Sequence, residues 1–235
     1  FDPPIHAAEG KKVLGFHRIG KRIVFELEDD LFLVFHLMIT GRFHWKKRGA
    51  AVPRKYGHAA FDFPSGTLLL TEMGAKKRAS LHIVHGREKL AEHDPTGLEI
   101  FDTGLARFRE ALTRENHTLK RTLTDPHVFS GIGNAYSDEI LHRAKLSPVK
   151  QTKQLSKDEM KRLYQATKEC LGEWIERLRK DTGNNFPERV TAFRDDMAVH
   201  GKYRKPCPVC GAPVQRIVYA GNETNYCAKC QTGGK

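Results

Sequence analysis

CPVCGAPVQRIVYAGNETNYCAKCQ, residues 207–231, carries four of the five cysteines in a chain of 235 residues. Cys207 and Cys210 form one Cys-x2-Cys pair, Cys227 and Cys230 form another, and sixteen residues separate the two. Each pair places two thiolates on one tight turn, and zinc takes four such ligands in a tetrahedron. Two pairs joined by roughly 15–20 residues have the spacing of a zinc ribbon. The joining stretch reads as strand, turn, strand: Val214, Ile217, Val218 and Tyr219 favour β structure, and Gly221-Asn222 supplies the turn. A pair of disulfides is the alternative. It is disfavoured because no secretory segment precedes the hairpin and a short basic hairpin has little core without metal. Four thiolates leave no open coordination position, so one structural Zn2+ is expected and catalytic zinc is not.

The formal charge is +12, with 39% hydrophobic residues. That is enough apolar material for a core, and no apolar run approaches the length needed to span a bilayer. The positive balance points to a polyanionic partner, most simply nucleic acid. Between residues 201 and 235 there are six Lys or Arg against one Glu, so the ribbon shares the bias. The lone Cys170 falls inside a helical pattern and reads as a buried small apolar residue.

The first third reads as antiparallel β. RIVFELEDDLFLVFHLM (22–38) holds two apolar runs around the acidic turn Glu28-Asp29-Asp30, and HAAFDFPSGTLLLTEM (58–73) repeats the pattern around Pro64-Ser65-Gly66. KKVLGFHRIG (11–20) supplies an earlier strand. Alternation within the runs is imperfect, which predicts strands covered on both faces, as in a sandwich. Beyond Gly86 the character changes. DPTGLEIFDTGLARFREAL (94–112) predicts a loop and then a helix from near Thr103. SKDEMKRLYQATKECLGEWIERLRK (156–180) is the strongest helix, opened by a Ser156/Glu159 capping box. Met160, Leu163, Tyr164, Leu171, Trp174, Ile175 and Leu178 form its apolar stripe. NNFPERVTAFRDDMAVHGKYRKP (184–206) reads as a polar connector. The expected class is α+β, divided into residues 1–90 (β-sandwich), 100–195 (helical) and 200–235 (four-cysteine finger).

FSGIGNAYSDEILHRA (129–144) sets Gly131 and Gly133 around Ile132, then Asn134 and a helical run from about Ala135. Glycines let a backbone approach closely, and free N–H groups at a helix start attract anions. Asn134 could donate to a phosphate; it could equally be an ordinary helix cap. Lys120, Arg121, Arg143 and Lys145 add positive charge nearby in sequence.

SGIGNAYSDEILHRAKLSP (130–148) resembles the helix-two-turn-helix signature of the formamidopyrimidine-DNA glycosylase and endonuclease VIII family. The terminal four-cysteine hairpin sits where that family keeps its zinc finger. GKRIVFELEDDLFLVFHLMITGRF (20–43) is similar to its strand pair, and DPTGLEIFD (94–102) to the loop entering its helical domain. The resemblance spans nearly the whole chain. It implies an antiparallel β-sandwich, a helical helix-two-turn-helix domain and a C-terminal zinc β-ribbon. The implied activity is base-excision repair: a DNA glycosylase with abasic-site lyase activity that excises damaged, chiefly oxidised, bases from double-stranded DNA. The implied partners are damaged bases and abasic sites in duplex DNA. The protein would act as a monomer, at the bacterial nucleoid in the cytoplasm or in a nucleus.

The family's nucleophile is an N-terminal proline amine followed by glutamate. This sequence opens Phe1-Asp2-Pro3-Pro4, and neither proline is terminal or followed by Glu. The resemblance therefore places the nucleophile outside these residues and leaves the sandwich incomplete at its N-terminus. The alternative reading is a non-catalytic protein that binds damaged or structured nucleic acid. Residue by residue, Lys21 matches a lysine of the catalytic pocket. His58, Lys120 and Asn134 match groups on the DNA backbone. Asn222 stands where the family's finger arginine is expected, and Arg216 could reach the same phosphate from the opposite strand. Ile39 replaces a common wedge methionine. TEMGAKKRASL (71–81) replaces the usual Asp-Pro-Arg-x-Phe-Gly turn, keeping charge at Lys76, Lys77 and Arg78 but no aromatic wedge.

Overall fold

Leu31, Phe32, Leu33, Val34 and Phe35 are all buried, although side chains alternate between the two faces of a strand. The computed structural model, which describes residues 3–188, 190–219 and 221–234, shows why. This strand, β3 (Leu31–His36), lies inside a four-stranded antiparallel sheet with β1 (Val13–Ile19), β2 (Arg22–Leu27) and β7 (Ser80–His85). Leu31, Leu33 and Phe35 face a second, three-stranded sheet. Phe32 and Val34 turn the other way and pack on Val84 and Leu90, the latter from the short helix α1 (Arg87–Ala91). Both faces are covered, so the alternation is lost from the sequence.

The second sheet has the order β4 (Gly41–Lys46), β6 (Gly66–Glu72), β5 (Gly57–Phe63). Between the sheets the rings of Phe25, Phe43 and Phe61 surround Phe35, with centroids 5.0, 5.0 and 5.5 Å from it. Burying each such ring contributes on the order of 2–3 kcal/mol. Both expected hairpin turns are present. Asp29 and Asp30 adopt positive φ (60° and 53°), a conformation Asp tolerates better than most residues.

The chain divides into two compact units, Phe1–Asp94 with Thr182–Val190, and Pro95–Asp181 with Thr191–Lys235. The finger belongs to the helical unit, and part of the expected connector belongs to the β unit. There Phe186 stacks on Trp45, and the Glu188 carboxylate accepts from His44 Nδ1 (2.6 Å) and Trp45 N (3.2 Å). A chain segment thereby covers the edge strand β4, whose open N–H groups would otherwise invite pairing.

The helical unit contains α2 (Leu105–Thr113), α3 (Leu119–Thr124), α4 (Asn134–Arg143) and α5 (Lys157–Thr182). α2 starts two residues later than expected because Gly104 is extended. Its core gathers Phe108, Leu119, Phe129, Ile140, Leu163 and Trp174. The capping box forms reciprocally: Ser156 N donates to Glu159 Oε2 and Glu159 N to Ser156 Oγ. Cys170 is buried, and that burial pushes its thiol up to about 12. Ile175, expected in the apolar stripe, is exposed; past Trp174 the helix runs beyond the core, and Arg177 and Arg194 cover that ring instead. Between α3 and α4, Leu98 pairs with Phe129 in a parallel bridge. Gly97 allows this approach, since a Cβ there would fall 2.2 Å from the Pro126 carbonyl oxygen.

The finger is the hairpin β8 (Gln215–Tyr219) and β9 (Asn222–Tyr226), closed by the short helix α6 (Ala228–Thr232). Among the described residues, no helix is long and apolar enough to cross a membrane.

Candidate nucleic-acid interface

The cysteine sulfurs test the metal expectation directly. All four Sγ atoms lie within 4.8 Å of one another, with Cys207 to Cys230 at 3.9 Å and Cys210 to Cys227 at 3.4 Å. A tetrahedral zinc with Zn–S near 2.3 Å sets sulfurs about 3.8 Å apart. The four residues therefore fit one structural zinc. Held there, the ion fixes the two ends of the hairpin.

Further side chains fasten this clip to the helices, and the sequence reading did not single them out for that task. His142 on α4 sets Nε2 3.3 Å from Cys207 Sγ, a donor positioned for a thiolate. Gln231 accepts from Cys227 N and donates to Leu146 O, both at 2.8 Å. Asn225 Oδ1 accepts from Gly201 N at 2.7 Å.

The centre of this stitching is the acidic pair Asp138-Glu139, buried on α4. The Asp138 carboxylate takes the Lys120 ammonium, His200 Nδ1 (2.8 Å) and Asn225 N (3.1 Å). Glu139 accepts the backbone N–H groups of Ala198, Val199 and His200 at 2.8 to 2.9 Å. Two carboxylates one after the other on a basic protein's helix look like solvated charge. Here every partner but Lys120 arrives from some sixty or more residues away, which the sequence does not display.

The start of α4 has the expected glycine geometry. Gly131 holds φ at 80°, a left-handed conformation that favours glycine, and Gly133 is extended as the helix N-cap. The first N–H groups of a helix lack intrahelical acceptors and point outward. Asn134 is not the cap. Its Nδ2 donates 2.8 Å to the Glu223 carbonyl on β9, joining the helix start to the finger hairpin. One N–H of the same amide remains for a second acceptor.

Arg216 lies next to this junction, with Nη1 3.2 Å from Glu223 Oε2 and its guanidinium 4.3 Å over the Tyr203 ring. Asn222 is exposed at the start of β9, opposite Tyr219. Asn134, Arg216 and Asn222 are thus gathered around Glu223. Lys120 is close too, and its ammonium is engaged within the protein. Its ammonium has three hydrogens, and Asn134 O (2.7 Å), Ser137 Oγ (2.8 Å) and Asp138 Oδ1 take them all. Burial lowers its pKa, opposed by Asp138.

In the β unit, Lys21 occupies the β1–β2 turn, where partial desolvation lowers its ammonium pKa. His58 opens β5 with Nε2 3.4 Å from the buried carboxylate of Glu72. Burial alone would push the Glu72 carboxyl up. The N–H groups of Arg78 and Ala79, the Thr40 hydroxyl and His58 together hold it below the usual range.

Known proteins share this arrangement from end to end. Residues 3–76 match the formamidopyrimidine-DNA glycosylase N-terminal domain, 94–185 its H2TH domain, and 204–233 the zinc finger found in FPG and IleRS. The formamidopyrimidine-DNA glycosylase of Thermus thermophilus is 34% identical over 238 residues, covering 97% of this chain and 85% of the relative. The chain belongs to the formamidopyrimidine-DNA glycosylase family. A member from Oceanobacillus iheyensis is 33% identical, covering 94% of this chain and 80% of its own length. Among solved structures, the Lactococcus lactis Fpg bound to DNA containing Fapy-dG has a TM-score of 0.82 at 29% identity, covering 94% of this chain and 83% of that one. The same Lactococcus enzyme with abasic-site DNA gives 0.81 at 28% identity, with the same coverage. The family's three parts, antiparallel sandwich, helix-two-turn-helix and zinc ribbon, are all present in this chain.

Proposed function

We propose that this chain is a base-excision repair DNA glycosylase with abasic-site lyase activity, acting on duplex DNA that carries damaged bases. The observation that carries the reading is the hydrogen bond from Asn134 Nδ2 to the Glu223 carbonyl. It makes the helix start and the finger hairpin one surface, on a chain of formal charge +12. Open N–H groups, an amide donor and Arg216 converge on that surface, as recognition of a phosphate backbone requires.

The target atoms of a base are unreachable inside the stack, so the nucleotide must be turned out of the helix. Grip on the flanking phosphates holds the duplex while that happens. Asn134 and Arg216 act from the helical unit and His58 from the β unit, with Asn222 at the hairpin start. Lys120 positions the first turn of α4. Lys21, with its lowered pKa, is suited to shuttling a proton in the elimination that follows. When bound, zinc supplies rigidity to the hairpin and no reagent.

Borohydride trapping decides between enzyme and passive binder. The protein is expected to give a covalent adduct with an abasic-site duplex. Tight binding without an adduct would reject the enzyme in favour of a non-catalytic reader of damaged DNA.

A further inference from the structure

A groove of about 290 Å³ runs between α2 and the start of α5, within the helical unit. Arg109 and Thr113 of α2 line one side, and Lys153, Ser156 and Lys157 line the other. Its apolar lining is the half-buried Leu155 and the buried Met160.

The three cations are exposed, and none of them makes an ion pair among the described residues. No acid lines the groove; Glu110 and Asp158, the sequence neighbours of Arg109 and Lys157, are outside it. Elsewhere in the same unit such charges are neutralised, Lys150 by Glu159, Arg143 by Glu173 and Arg177 by Asp196. Here three like charges stand unneutralised beside an apolar strip, and self-repulsion of that kind works against the compact state.

The walls are fixed in place. Thr152 is buried, its N–H donating to His117 O (2.9 Å) and its Oγ1 to Glu115 O (2.7 Å). Lys153 N donates to Asn116 Oδ1 at 3.3 Å, so the short 3-10 turn Thr152–Gln154 is tied to the α2–α3 loop. The Ser156/Glu159 box holds the start of α5. A ready-made groove binds without the cost of ordering its walls.

The shape and lining select among anions. A groove of this size falls just below the roughly 300–1,000 Å³ of small-molecule sites. A lone phosphate would meet only exposed cations, and exposed ion pairs are weak. A nucleic-acid backbone would meet the same cations and leave Leu155 and Met160 wet. A peptide with carboxylates on either side of apolar side chains satisfies both parts, and a methionine lining adapts to varied apolar shapes.

We propose that this groove docks an acidic segment of a partner protein, its carboxylates on Arg109, Lys153 and Lys157 and an apolar side chain against Leu155 and Met160. The proposal adds a protein-binding surface and does not depend on the DNA-repair reading.

The test uses the intact, zinc-loaded chain and fluorescein-labelled capped hexapeptides in a polarisation assay. Glu-Asp-Leu-Phe-Asp-Glu is expected to bind at least about tenfold tighter than Glu-Asp-Ser-Ser-Asp-Glu or Lys-Arg-Leu-Phe-Arg-Lys, with affinity falling as salt rises. Arg109→Glu and Lys157→Glu should each weaken that peptide about tenfold, and the double variant should come to prefer the basic peptide. Both sites are exposed, and circular dichroism and zinc content should match wild type. Duplex binding by the variants should keep the wild-type salt slope. Failure of the acidic-apolar peptide to bind overturns the proposal. So does equal binding of the serine peptide, which would reduce the groove to bare charge. Displacement of the peptide by oligothymidylate or duplex, or a shallower DNA salt slope in Arg109→Glu, would assign the groove to nucleic acid and overturn it as well.

Discussion

Asp138 should be the most costly single truncation in the helical unit. Its side chain is fully buried, and its carboxylate is shared by the Lys120 ammonium, His200 Nδ1 and Asn225 N. Asp138→Ala leaves a charge on Lys120, only 13% exposed, with two neutral acceptors in place of an anion. Removing one partner of a buried ion pair costs roughly 3–5 kcal/mol. The stranded donors of His200 and Asn225 each add about 1 kcal/mol after water reaches them. A loss of about 5–7 kcal/mol follows. Denaturant unfolding in a Trp45→Phe background isolates the signal, since Trp174 is then the sole tryptophan of the two in the chain. The sharper test is the cycle with Lys120→Met. Removing both charges should cost about 2 kcal/mol less than the two single losses added together. Additive losses would refute the view that Lys120 is an internal post paired to Asp138. So would a Lys120→Met variant whose DNA binding loses about one unit of salt slope, the mark of a deleted phosphate contact.

Cys227→Ser should lower the zinc content and weaken DNA binding, while the β unit keeps its cooperative unfolding; chelator-coupled absorbance against a protein standard checks the metal, and unchanged content contradicts the assignment. Glu72→Gln tests the buried carboxylate of the β unit through pH. The folded pKa of Glu72 lies below its ordinary value of 4.5, so its stabilisation is complete above that value and is lost as pH falls through the folded pKa. The stability gap between wild type and Glu72→Gln should be full above about pH 5 and close as pH falls through the lowered folded pKa, and a gap that is flat or widens in acid would remove the carboxylate from the account.

Much of this architecture is written locally. The two Cys-x2-Cys pairs, the Ser156/Glu159 box and the acidic and Pro-Ser-Gly turns each depend on residues within a few positions, and each forms as read. The G-x-G-N motif and the offset of Lys120 from Asn134 were also legible, and the two residues do meet, through Lys120 Nζ and the Asn134 carbonyl. What Lys120 does there was not legible. A solvated lysine and one paired to a buried carboxylate look alike in sequence until Asp138 is known to face it. The same holds for Glu72, whose partners Thr40, in the β3–β4 turn, and His58, on β5, are distant in sequence, and for the stretch 184–206. That stretch looks polar, yet it buries Met197, Val199 and His200 under the carboxylates of α4. Long-range pairing of backbone N–H groups with side-chain oxygens leaves no periodicity to read.

The central claim is that the start of α4 and the finger hairpin form one surface for the DNA backbone, joined at Asn134. Equilibrium binding of Asn134→Asp to damaged and undamaged duplexes across a salt series tests it most directly. The account predicts affinity about tenfold weaker or worse on every sequence, with the circular dichroism and zinc content of the wild type. Undiminished affinity, or a loss confined to one base context, would contradict it.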